Sequence, residues 1–91
     1  MDEASKILER LRKSANNCTR HDLEVIYLAY GFEIRRGKHD IAKHTKYKHL
    51  RGTLPNHSSF AVGYVITAIK LIDTARRLQE QEEINHEKGI K

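Results

Sequence analysis

Gly37-Lys38-His39 puts an imidazole just after a glycine in a stretch crowded with cations, a setting suited to moving a proton beside a phosphate. An unperturbed histidine titrates near pH ~6.5, and adjacent positive charge disfavours its protonated form, so such a ring is available as a base at neutrality. Lys38, Arg36 and Lys43 are the expected phosphate contacts, with Arg35 beside them. This set fits the cleavage of RNA. The base takes the proton of a ribose 2′-hydroxyl, the oxygen attacks the neighbouring phosphate, and the cations stabilise the charge that develops. DNA lacks that nucleophile. The alternative for His39 is a surface histidine in a basic loop.

Other chemistry is poorly served. Gly31 and Gly37, the close glycine pair, are separated by a strand and cannot form a phosphate loop. Ser58 and Ser59 lack the strained elbow of a nucleophile and are expected to cap the last helix. His39 and His44 are five apart, on opposite faces of a regular strand, so a histidine metal site would need help from His49 or His57. With Cys18 as the one cysteine, an intramolecular disulfide and a cysteine zinc site are excluded. Neither a metal nor a cofactor is expected.

Charge placement carries more information than its total of +5. Five basic and five acidic side chains balance in residues 1–30, and again in residues 61–91. The excess lies in residues 31–60, where Arg35, Arg36, Lys38, Lys43, Lys46, Lys48 and Arg51 face only Glu33 and Asp40. So focused a positive field suits a polyanion, nucleic acid above all; the alternative is a solvated basic face.

The elements that would position these groups are readable from periodicity. Ala4, Ile7, Leu8, Leu11 and Ala15 form the apolar stripe of a first helix, which Asn16-Asn17 breaks. Thr19 and Asp22 have capping-box spacing, with Leu23, Ile26, Tyr27 and Tyr30 as the stripe of a second helix and Gly31 as its stop. From Phe32 the period falls to two until Gly37-Lys38 permits a tight turn. A second strand over His39 to His44, a polar loop, and a third strand over Leu50 to Leu54 closed by Pro55 complete a meander. From Phe60 the helical period returns, with one row through Val62, Val65, Ile66, Ile69 and Ile72 and another through Tyr64, Ala68, Leu71, Ala75 and Leu78. Beyond Leu78 the sequence is almost wholly polar and is expected to be a frayed helical extension or a disordered tail. The order α-α-β-β-β-α predicts an α+β sandwich, with helices on one face of a small antiparallel sheet. With 91 residues, 38% hydrophobic and 32% charged, the chain has room for one domain, 1–91. No apolar run approaches the ~20 residues of a membrane span. The opening MDEASKILER lacks the pattern of a signal peptide, and the expectation is a cytoplasmic protein.

Gly31-Phe32, then Gly37-Lys38-His39-Asp40-Ile41-Ala42-Lys43-His44, then Thr53-Leu54-Pro55-Asn56-His57-Ser58 resemble the successive motifs of HicA-type toxins. The resemblance runs over residues 19–75. It implies a double-stranded-RNA-binding-like α-β-β-β-α fold, mRNA cleavage without a cofactor, and neutralisation by a HicB-type antitoxin protein covering the active histidine. By position His39 takes the catalytic role and Gly37 that of the turn glycine. Residues 1–18 then form an added N-terminal helix, residues 19–78 the HicA-like core and residues 79–91 a polar extension. His44 and His57 also match family positions and are candidates for phosphate binding or for protonating the leaving oxygen, or are simply solvated. Tyr47, in the basic loop, is a candidate for stacking on a base, whereas Tyr30 belongs to the core stripe. The family serine is replaced here by Lys38, and Phe60-Ala61-Val62-Gly63-Tyr64 stands where the family has Gly-Thr-Leu-Arg. The spare helical stripe allows a homodimer, or packs on the added first helix. Two other readings stand beside the ribonuclease: a non-catalytic RNA-binding module, and a structural subunit of a protein complex.

Overall fold

The computed structural model describes residues 2–54 and 62–89, with the side chains of the final helix described as far as residue 84. Three helices and a three-stranded antiparallel sheet follow in the order α1 (Glu3–Lys13), α2 (Arg20–Ala29), β1 (Phe32–Arg35), β2 (Asp40–His44), β3 (Arg51–Leu54) and α3 (Val62–Gly89). The sheet order is β1-β2-β3. The expectations for Pro55, His57, Ser58 and Ser59 lie outside the described residues.

Local chemistry accounts for the helix ends. The Asp2 carboxylate accepts the Ser5 backbone N–H at 2.8 Å, capping α1. Thr19 and Asp22 form the expected reciprocal box on α2: the Asp22 N–H donates to Thr19 Oγ1 and the Thr19 N–H to the Asp22 carboxylate, each at 3.1 Å. Between these helices Asn17 turns the chain with φ 60°, and after α2 Gly31 does so with φ 92°. The first helix ends at Lys13, two residues short of Ala15, because the Ser14 N–H closes on Arg10 O and the backbone then extends.

Strand alternation divides the sheet into two faces. Phe32, Asp40, Ala42, His44 and Leu54 are buried on the inner face, where α2 meets β1 and α3 meets β3. Gly52 shares that face, and a Cβ there would lie 2.7 Å from Tyr27 Oη and 2.8 Å from Leu71 Cδ1, so only glycine lets the tyrosine cross the strand. In α3 the buried residues Val65, Ala68, Ile72 and Ala75 draw on both apolar rows of the sequence. α1 buries Leu8 and Leu11 in the same core and is tied to α3 by a bidentate pair between Arg12 and Asp73. The helix does not stop at Leu78. It runs to Gly89, and Glu82 reaches back to accept the Tyr47 hydroxyl and to pair with Lys46 Nζ at 2.9 Å. No described helix is long and apolar enough to cross a membrane.

Candidate functional site

No described helix covers the outer face of the sheet, which carries the basic side chains. Strand register sets Glu33, Lys43 and Arg51 in one cross-strand row and Arg35, Ile41 and Thr53 in the next. Arg35 is paired with Glu33 at 3.0 Å. Lys43 and Arg51 are direct cross-strand partners, and like charges opposed in this way destabilise a sheet. Among the described residues neither has a carboxylate partner. An anion lying across the strands would relieve both.

At the end of this face the β1–β2 bend carries Arg36, Gly37, Lys38 and His39, all exposed. Gly37 does not adopt a left-handed φ, and nothing lies closer than 4.0 Å to a Cβ built on it, so the bend does not depend on glycine. Asp40 holds it. One carboxylate oxygen accepts the Gly37 N–H at 3.1 Å, and the other accepts from Arg20 of α2, at 2.5 Å. Asp40 is 5% exposed, and the Arg20 guanidinium, then the Gly37 N–H, keep its carboxyl below the usual carboxylate range. The second strand therefore starts at Asp40, one residue after His39, and the imidazole is carried by the bend and not by the ladder. Lys38 and His39 make no hydrogen bond or ion pair among the described residues. No three His, Cys, Asp or Glu side chains cluster among them to hold a metal.

No family model, curated protein or solved structure matches the chain.

The other candidate residues separate from this bend. Lys43 and Arg35 share the open face with it, whereas His44 points inward, 7% exposed, at the far end of β2. Its Nδ1 accepts the backbone N–H groups of Lys46 and Tyr47 at 3.0 Å each, which puts the ring proton on Nε2, and the ring also hydrogen-bonds the Tyr30 backbone. Phe32 and Tyr47 flank it, each with its ring centroid 4.9 Å away. This histidine shapes the β2–β3 loop. Tyr47, half-buried, has His44 on one side and Lys46 Nζ 5.8 Å from its centroid; bonding to Glu82 pushes its phenol up to about 12. His57 lies outside the described residues. Arg51 counts in the basic excess of residues 31–60 but not among the expected phosphate contacts; strand alternation from Leu50 to Leu54, combined with the register, brings it opposite Lys43.

Two consequences are measurable. Burial holds the His44 pKa below its ordinary value, partly offset by the bond to Tyr30. The unfolded chain takes up a proton as pH falls through ~6.5, while the folded ring resists until lower pH, so stability present above ~6.5 is lost on acidification. Thermal melts should be flat above pH ~7.5 and fall as pH drops below ~6.5, and His44→Gln should flatten the fall. The second concerns the opposed cations. Arg51→Glu should stabilise the sheet by about 0.5 kcal/mol in urea melts, because Lys43 gains a partner. On the nucleic-acid reading of this face, the same change should lower RNA affinity about tenfold and make it less salt-dependent.

Proposed function

We propose that this protein is a metal-independent ribonuclease that cleaves mRNA as the toxin of a toxin–antitoxin pair of the HicA/HicB kind. His39 acts as general base on a ribose 2′-hydroxyl, and Arg36, Lys38, Lys43 and Arg35 bind the phosphates. In this reading α2, the three strands and α3 are the α-β-β-β-α unit of a double-stranded-RNA-binding-like fold, with α1 added in front. The observation that carries it is an exposed imidazole on a bend beside Arg36 and Lys38, at the edge of a sheet face where Lys43 and Arg51 stand opposed and Glu33, in the same row, is engaged by Arg35. A polyanion is the chemistry that such a face lacks, and a free imidazole beside it supplies the proton acceptor.

A second reading, a non-catalytic RNA-binding module, is favoured by one feature. His39 has no hydrogen-bonding partner among the described residues to orient it, whereas a general base is normally held by one. Induced expression distinguishes the two. Wild type should arrest growth and deplete mRNA, His39→Ala should do neither, and co-expression of a HicB-type antitoxin should relieve the arrest. Equal behaviour of wild type and His39→Ala would leave the binding module.

A further inference from the structure

The charge balance of residues 61–91 conceals a second cationic feature on the helix side of the sheet. Arg76 of α3 lies with its guanidinium carbon 5.3 Å from the centroid of the Tyr30 ring, and no described carboxylate is within ion-pairing distance of it. The neighbouring Asp73 is already occupied, bidentately, by Arg12. A guanidinium resting on an aromatic face is held in orientation while its N–H edge stays free, and that planar edge matches a phosphate. Gln79 follows three residues later, on the same face of the helix, and adds an amide donor. Arg76 and Gln79 line a cleft of about 380 Å³ together with Tyr30, Thr45, Lys46 and Tyr47. That volume lies within the range of small-molecule sites. The described carboxylate that bonds to Lys46 and Tyr47, Glu82, is engaged by both of them, and Glu83 acts on the Tyr47 phenol without a direct bond.

We propose that this cleft takes one phosphate-bearing nucleotide, its phosphate on Arg76 and Gln79, as a second contact for an RNA strand that crosses the open face. The inference rests on the RNA reading above. The cleft lies at the His44 end of β2 and His39 just beyond the Asp40 end, so the full length of β2, four strand steps or ~13 Å, lies between them. A strand engaging both leaves the open face past the loop of residues 45–49.

Amide NMR of the full chain, titrated separately with inorganic phosphate, adenosine 5′-monophosphate and an RNA octamer, tests it. The mononucleotide and the octamer should both shift Gly31, Thr45, Lys46 and Gln79. Arg76→Gln should weaken both by about tenfold and Arg76→Lys should recover part of the loss. Gln79→Glu, which sets a carboxylate against the phosphate while leaving the Arg76–Tyr30 contact intact, should weaken both as well. Inorganic phosphate binding as tightly as the mononucleotide would overturn the nucleotide assignment. An octamer that shifts the open face but not the cleft overturns the cleft alone. An octamer that shifts neither overturns the RNA reading on which it rests.

Discussion

Replacing His39 with alanine is expected to lower RNA cleavage by about 10²- to 10⁴-fold, the usual contribution of a positioned general base, with little change in RNA affinity. The two effects separate because of where the side chain sits. His39 is exposed on the β1–β2 bend, contributes nothing to the core, and is not what holds the bend; that falls to Asp40 through Gly37 and Arg20. Arg36, Lys38 and Lys43, the proposed phosphate contacts, stay in place in the variant. Single-turnover cleavage of an end-labelled RNA gives the rate, fluorescence anisotropy gives the affinity, and a thermal melt checks the fold. A variant that loses affinity in step with rate would make His39 one more binding residue.

Gly31→Ala is expected to cost about 2–4 kcal/mol, a large share of the stability of a domain this small. Two penalties coincide there. Gly31 has φ 92°, a conformation that side chains rarely adopt, and a Cβ would lie 2.8 Å from His44 Nε2. The ring has no free direction in which to retreat, since Phe32 and Tyr47 flank it and its Nδ1 is bonded to two backbone N–H groups. The substitution therefore strains the turn after α2 and loosens the β2–β3 loop together. Urea unfolding measures the loss. Gly37→Ala is the control, expected to fall within about 0.5 kcal/mol of wild type because its backbone and surroundings accept a methyl group.

The contrast between these two glycines shows what periodicity and motif can and cannot reveal. The capping box at Thr19 and Asp22, the alternation from Phe32, and the concentration of cations in residues 31–60 are local patterns, and local patterns were legible. Gly37 reads as the turn glycine from its neighbours, yet the bend is held by Asp40, whose partner Arg20 is 20 residues away. Asp40 reads as one of two anions in a basic stretch, and only the packing of α2 makes it a buried clamp. His44 has the same residue type as His39 and a similar basic neighbourhood; the parity of its position on β2 sends it inside, where its nitrogens order a loop. The opposition of Lys43 and Arg51 depends on register, and register follows from how a loop closes. Residues 79–91 read as an extension without an apolar stripe, and among the described side chains of that stretch the anchor is a polar one, Glu82 on Lys46 and Tyr47, which hydrophobic periodicity does not detect.

The most direct test of the account is the chemistry of the cut end. Wild-type protein incubated with an RNA, and with the same strand carrying a single 2′-deoxynucleotide at the cleaved position, should cut only the all-ribose strand. The fragments should carry a 2′,3′-cyclic phosphate and a 5′-hydroxyl, as attack by the adjacent 2′-oxygen requires. Equal cutting at the deoxy position, or a 3′-hydroxyl on the product, would contradict a histidine base acting through the ribose.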